Sequence, residues 1–236
     1  MIMAEASKQQ VTLIPWDPES QSHIDRLFQQ RIACGWHEDK ISEWREKQRQ
    51  GKKTLQWIIL SPDDPASAQK QAQHVSAYPL EAGELTDTAV SLGGKPRPPL
   101  GTSFLPVGHI SLDPDPTDRG LEVVEEGTYL ISTFYISRAL QGSGLGRAAM
   151  DIVEKMAVDE PLCAKVLTLD TVANDYPKRE ERLKALGRPG AKLSNADWYA
   201  RRGYTIYDYK DDHYWDTDPT GKRWGARAVF MKKHII

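Results

Sequence analysis

The sequence predicts a mixed α/β fold, on three observations. β-rich and helical segments alternate through the second half of the chain, as they do where helices pack on a sheet. No internal repeat interrupts that order. A glycine-rich run, Gln141-Gly142-Ser143-Gly144-Leu145-Gly146-Arg147, joins a strand to the start of a helix.

The elements follow from local patterning. Val11 to Ile14 is β-rich and stops at Pro15, a short strand. The turn residues Asp17 to Ser20 lead into a helix on which Ile24, Leu27, Phe28, Ile32 and Trp36 recur at helical spacing. A second helix spans 39–50, with Ile41 and Trp44 on one face and Gly51 as its stop. Residues 54–60 form an apolar and therefore central strand. Residues 61–106 hold many prolines and few periodic apolar residues, and read as a long exposed insertion. Strands follow at 107–112 and 128–137. A helix runs over 144–158, its apolar stripe formed by Leu145, Ala149, Ile152, Val153 and Met156. Residues 166–173 form the next strand, and the charged stretch 175–193 is a second insertion. A short helix at 194–202 is capped by Ser194 and stopped by Gly203. Strands at 204–209 and 226–231 close the chain, joined through an aspartate-rich turn near Asp216 to Pro219. The whole of 1–236 reads as one domain with two insertions.

Composition bounds the function. The chain has 236 residues, 39% hydrophobic and 27% charged, with a net charge of -2. That balance fits a soluble globular protein and leaves no global basic field for nucleic acid or anionic lipid. Two cysteines, Cys34 and Cys163, make no disulfide scaffold, and no Cys/His spacing points to a metal. The first ten residues have no apolar core of a secretory signal, and no apolar run approaches the roughly 20 residues that span a bilayer. A cytoplasmic protein without a membrane partner is expected.

The glycine run carries the chemistry. The first N–H groups of a helix have no intrahelical acceptor, and the helix dipole adds positive charge there. Glycines at 142, 144 and 146 let a diphosphate approach the backbone, and Arg147 in the first turn adds a charge-assisted contact. A Rossmann loop would need a small residue at 147, and a Walker loop would need Gly-Lys-Ser/Thr.

With its flanks, the run resembles the coenzyme A signature Gln/Arg-x-x-Gly-x-Gly/Ala of the GNAT superfamily of N-acetyltransferases. Gln141, Gly144 and Gly146 match it, and Ile136 stands where the family's strand carries valine. Leu167-x-Leu169-Asp170-Thr171 is similar to the family's following strand, and Trp198-Tyr199-x-x-x-Gly203-Tyr204 to its later helix-to-strand motif. These motifs cover about 107–231, and 11–60 suits the family's opening strand, helix pair and second strand. The later motif departs in one place: Lys192 stands where asparagine is common, so Asn174 is the substitute amide. The insertion at 61–106 has no counterpart in a minimal member.

The resemblance implies a central mixed, mostly antiparallel twisted sheet of about six to seven strands flanked by about four helices. It implies acetyl transfer from acetyl-CoA, with no metal, to a primary amine of a small molecule or peptide, by direct attack in a ternary complex. Phe134, Tyr135 and Ile136 would run beside the pantetheine arm, and a backbone N–H near Ile136 would polarise the thioester carbonyl. Residues Gln141, Gly142, Ser143, Gly144, Leu145, Gly146 and Arg147 would hold the diphosphate, with Asn174 beside them. Tyr199 would protonate the leaving sulfur; a phenol of pKa about 10 still carries its proton near neutral pH. The base for the amine stays open among Asp170, Glu126, Glu125 and His109. Trp36, His37, Trp44, Tyr207, Tyr209, Tyr214, Trp215 and Trp224 are candidates for the acceptor wall, beside the acidic Asp208, Asp211, Asp212, Asp216 and Asp218. A non-catalytic acyl-CoA sensor on the same fold is the alternative. Monomer and homodimer both remain open.

Overall fold

A computed structural model describes residues 9–114, 125–188 and 194–235. Residues 1–8, the Asp115-Pro116 part of the turn after the strand at 107–112, and Lys192 with the 189–193 end of the second insertion lie outside them. The chain divides into two compact units, one of residues 1–124 and 129–163, the other of 125–128 and 164–236.

The first unit carries strands β1 (Val11–Pro15), β2 (Leu55–Leu60), β3 (Pro106–Asp113) and β4 (Thr128–Ile136). They lie in the order β1-β2-β3-β4, every pair antiparallel. Its helices are α1 (Gln21–Cys34), α2 (Ile41–Arg49), α3 (Ser67–Ala77) and α4 (Leu145–Val158). A core of Trp16, Leu27, Trp44, Leu55, Trp57 and Phe104 packs α1 and α2 on the sheet. The second unit carries β5 (Val166–Val172), α5 (Arg179–Ala185), α6 (Asn195–Ala200), β6 (Thr205–Thr217) and β7 (Arg223–His234). Its strands lie in the order β5-β7-β6, again antiparallel. The class is therefore mixed α/β with mostly antiparallel pairing, as expected. Among the described residues no helix is long and apolar enough to cross a membrane.

Several expectations change. Residues 61–106 are not a bare loop: they form α3 and two short ladders, Leu85–Thr86 with Ser103–Phe104 and Ser91–Leu92 with Lys95–Pro96. Residues 175–193 include α5. The closing strands are longer than expected and meet in an extended hairpin. On α1 the buried face is His23, Arg26, Leu27, Gln30 and Arg31, whereas Phe28 and Ile32 are exposed. On α4 the buried stripe is Leu145, Ala149, Met150, Val153 and Ala157, with Ile152 and Met156 only half-buried.

Candidate active site

The glycine run lies where the sequence places it. β4 ends at Ile136, Arg138–Leu140 makes one tight turn, and α4 begins at Leu145 with Gly144 as its N-cap. Gly142 and Gly144 sit at φ 81° and 92°, the left-handed region that residues with a Cβ avoid. The turn is closed from within: the Ser143 hydroxyl donates to the Leu140 carbonyl at 2.5 Å, and Gln141 Nε2 donates to the Ile136 carbonyl at 3.2 Å. Among the described residues no backbone carbonyl accepts from the amides of Gly142, Gly144, Gly146 or Arg147. These donors lie on an exposed to half-buried surface.

Two further features fit a diphosphate. The first turn of α4 has no acidic residue to offset the dipole, and the exposed Arg147 adds positive charge to its positive end. That arrangement is unfavourable in the free helix and favourable once an anion sits there. Gly146 is not demanded by packing, since a Cβ there would meet Phe134 and Ile136 at 3.7 and 3.9 Å, ordinary contact distances. Its lack of a side chain leaves the backbone open to approach.

β4 leading into this loop is bulged. His109 pairs with Tyr135 and Ser111 with Ser132, so Thr133 and Phe134 together oppose Ile110. Thr133 takes φ 52° to make the kink. The bulge drives the Tyr135 carbonyl so close to Gly108 that any Cβ at 108 would collide with it. A buried cation holds the bulge from behind. Lys53 Nζ donates to Thr133 Oγ1 at 2.9 Å, to Ser132 Oγ at 3.0 Å and to Asp113 Oδ2 at 3.1 Å. Phe134 is half-buried, while Tyr135 and Ile136 are buried. Burial pushes the Tyr135 phenol up, with Tyr78 and Glu81 adding to it.

His109, one of the candidates for the base, is locked into this unit. It is fully buried, and Arg31 Nη1 lies 3.3 Å from its Nε2 while Gln30 Oε1 lies 2.8 Å from Nδ1. A guanidinium only donates, so Nε2 is the acceptor and Nδ1–H donates to Gln30. Burial first, and then the charges of Arg31 and Lys53, hold its pKa well below the usual histidine value. Both nitrogens are committed, which removes it as a base.

The second unit gathers the other sequence-selected residues around Asp170 on β5. The Asp170 side chain is 3% exposed, and the Tyr214 hydroxyl donates to its Oδ2. Tyr199 on α6 is buried against Trp198 and Tyr204. Its phenol is pushed up by burial first and by the charge of Asp170 second, with Arg202 opposing. Tyr207 rises to about 12, mainly by burial and then through Asp170 and Asp208. Asn174 is largely taken up by structure: its Nδ2 donates to Ser194 Oγ and, at 3.0 Å, to Asp197 Oδ2, tying β5 to the capped start of α6. Only its Oδ1 is left to meet a further group through the side chain. Glu125 pairs with Lys232 at 2.9 Å, which lowers its pKa, and Glu126 lies exposed in the same turn.

His213, which was not among the sequence-selected residues, lies in the same unit. Its Nε2 stands 3.8 Å from Asp170 Oδ2. The expected aromatic wall also looks different in place. Tyr209, Trp215 and Trp224 already face cations of the chain itself: Arg227 at 5.9 Å, Arg223 at 4.5 Å and Lys222 at 3.9 Å from the ring centres. Trp44 is buried beneath Lys53 and Arg31. An open groove of about 420 Å³ in the second unit is lined by Tyr176, Glu181, Asp211, Asp212, Trp224 and Arg227, among others.

A mixed α/β chain with an anion-ready strand-loop-helix junction belongs, in its class, with proteins that take a phosphate-bearing ligand at a helix start. The particular family follows from comparison: the model of the acetyltransferase (GNAT) family matches residues 59–180, and the chain belongs to that family. The matched segment contains the glycine run and Asp170 and ends before Tyr199 and His213. Membership makes it an acyltransferase with acetyl-CoA as donor. Solved structures agree in fold. A GNAT-family protein from Desulfovibrio desulfuricans shares 13% identity over 96% of this chain and 99% of its own, with a TM-score of 0.50. A GNAT-family protein from Chromobacterium violaceum shares 13% identity over 96% of this chain and 83% of its own, with a TM-score of 0.51. An aminoglycoside 6'-N-acetyltransferase complexed with coenzyme A shares 11% identity over 95% of this chain and 97% of its own, with a TM-score of 0.50. No curated protein matches the sequence.

Proposed function

We propose that the protein transfers the acetyl group of acetyl-CoA to a primary amine, by direct attack of the amine on the thioester in a ternary complex. The observation that carries this is the run Gln141–Arg147, with amides that lack acceptors and Arg147 at the positive end of α4. In this reading Gln141, Gly142, Ser143, Gly144, Leu145, Gly146 and Arg147 hold the diphosphate. Phe134, Tyr135 and Ile136 line the pantetheine arm, and Asn174 Oδ1, its Nδ2 being engaged, accepts from an N–H of the ligand.

Tyr199 is the proton donor to the departing sulfur. Its burial and the charge of Asp170 raise its pKa, so the phenol is protonated at every working pH. A thiolate leaving with a pKa of about 8.5 is a weaker base than phenolate, and becomes a good acceptor only where water is excluded. Tyr199 is buried, as that role needs. Asp170 and Glu126 are the carboxylates assigned to the amine proton, one buried and one exposed. An amine acceptor is also what the aminoglycoside 6'-N-acetyltransferase of similar fold acts on.

Two measurements test this. Thermal shift should rise with acetyl-CoA and coenzyme A, because a ligand of the native state stabilises it with occupancy. A shift with ATP or NAD and none with coenzyme A refutes the donor assignment. Free thiol release should then appear with an aminoglycoside, a polyamine or a peptide amine as acceptor. Tyr199→Phe should lower kcat at least tenfold with coenzyme A affinity within twofold of the parent, an effect in the range of one proton transfer. An unchanged kcat removes Tyr199 from the chemistry.

A further inference from the structure

α3 does not pack as a core helix does. Of its 11 residues only His74 is buried, and no side chain caps its start. A helix of that length is marginal by itself, and packed helices are usually held by an apolar face that this one lacks. It lies between β2 and β3, and its principal neighbour is the turn Arg138–Leu140. That turn joins β4 to the glycine loop.

The contacts to the turn are polar. Gln73 Nε2 donates to the Ala139 carbonyl at 2.7 Å. His74 Nδ1 lies 2.9 Å from Ser137 Oγ, a buried hydrogen bond in which either atom can donate. A third bond reaches the turn from α1: Arg138 Nη2 donates to the Cys34 carbonyl at 3.0 Å. α3 is tied down on either side of this grip. Lys70 pairs with Asp64 at 2.5 Å, and Glu81, just past the helix, accepts from Gln30 of α1 at 2.9 Å.

The glycine loop leans on the same turn. The Leu140 carbonyl accepts from the Ser143 amide at 3.4 Å and from its hydroxyl at 2.5 Å, and the Ile136 carbonyl accepts from Gln141 Nε2. The glycines at 142 and 144 give the loop little stiffness of its own. The direction of its amides is therefore set by the turn. Donors that are already aimed cost less ordering when a ligand arrives.

From this geometry we infer that α3 is a clamp on the coenzyme A loop. Gln73 and His74 are its positioning residues: they hold Ala139 and Ser137, and so preorganise the loop for the diphosphate. The inference rests on the donor placement proposed above. Every residue it uses lies in the first unit. It also accounts for a helix that carries almost no apolar burial, since its side chains are spent on the turn instead.

The test uses the full chain and two readouts. Calorimetry gives the Kd for coenzyme A. Amide hydrogen exchange by NMR, on the free protein, follows Leu140, Ser143 and Ala148, whose N–H groups are bonded within the turn, the loop and the start of α4. Gln73 is exposed, so Gln73→Met removes the donor with little risk to folding. We expect a Kd about fivefold weaker, the equivalent of one hydrogen bond of about 1 kcal/mol. Exchange at the three amides should rise by a similar factor while β2 and β3 keep parental protection. His74→Ala and Ser137→Ala should each act in the same direction, and together no more than either alone, because they remove one bond. His74→Asn should come back to within twofold of the parent, since its amide offers a donor and an acceptor where Nδ1 stood. Parental Kd and exchange in both Gln73→Met and Ser137→Ala overturn the clamp alone. So does faster exchange shared equally by β2 and β3, which marks general loosening. A parent protein that does not bind coenzyme A overturns the donor placement, and the clamp's role with it.

Discussion

Gly146→Ala separates what the fold wants from what the ligand wants. Gly146 is the second residue of α4, and its φ is not in the left-handed region. A Cβ would make ordinary contacts with Phe134 and Ile136, at 3.7 and 3.9 Å. Nothing has to move. The free protein should therefore gain the helix preference of alanine over glycine, about 0.5 kcal/mol at this terminal position. For a chain of this size that is a rise of about 1–2 °C in Tm. Ligand binding should move the opposite way. On the proposed placement of the diphosphate against the amides of Gly144, Gly146 and Arg147, the added methyl crowds the ligand where it passes from that loop to Phe134 and Ile136. Loss of two or three contacts worth about 0.3–1 kcal/mol each sums to about 2 kcal/mol. That is close to a 30-fold weaker Kd for coenzyme A. Calorimetric titration with coenzyme A and an unliganded melting scan measure the two terms on one sample. A raised Tm with an unchanged Kd would refute the placement of the diphosphate. A lowered Tm would refute the claim that packing leaves room at 146.

Three further outcomes follow from the buried polar groups and the loop. Lys53→Met leaves Asp113 buried without its cation, which should cost about 3–5 kcal/mol, read as a large fall in the urea midpoint. Lys53→Met with Asp113→Leu should recover most of that loss. His109 has a depressed pKa in the folded protein and an ordinary one of about 6.5 when unfolded. Its contribution is therefore complete above that pH and shrinks as pH falls through it, by up to about 1.4 kcal/mol per pH unit. His109→Gln should flatten the acid side of a Tm-against-pH curve, and an unchanged slope would place the effect on other groups such as His23, also depressed mainly by burial. Arg147→Gln should weaken coenzyme A binding and reduce its salt dependence, which titration at two ionic strengths measures.

Strands and helices with apolar faces were legible, and those with polar faces were not. β2 and β3 read directly because each carries a buried apolar set, Leu55, Trp57 and Ile58 on one and Val107, Ile110 and Leu112 on the other. α3 escaped because its buried residue is His74, which reaches Ser137 Oγ at 2.9 Å, and its turn is tied by Lys70 to Asp64 at 2.5 Å. Such a helix has no apolar period to detect. The same cause shifted the face of α1. Periodicity favoured Phe28 and Ile32, yet the unit buries Gln30 and Arg31, which it needs to satisfy His109, Glu81 and the Trp36 carbonyl. Buried polar groups must find partners, and that demand outranks the apolar count of a single helix.

The candidate site divides along the same line. A diphosphate is met by backbone amides, and the backbone advertises itself in sequence through the glycines that expose it. Gln141 to Arg147 was therefore readable as the loop that joins β4 to the start of α4. The side chains next to Asp170 depend on irregular strand pairing, which leaves no such mark. Lys210-Asp211-Asp212-His213 reads as the polar end of a strand, and the expected boundary fell at Tyr209 for that reason. In the structure β6 continues to Thr217, and the polar run is the bulge inside it. Asp211 and Asp212 are consumed in shaping that bulge against Arg227 and Gly225, so their charge is not evidence of an acidic rim waiting for a cation. The same bulge carries His213, whose Nε2 stands 3.8 Å from Asp170 Oδ2. The one clue in the sequence was a histidine set between two acids and an aromatic pair, directly before Tyr214, and its meaning depended on Asp170, 43 positions earlier in the chain.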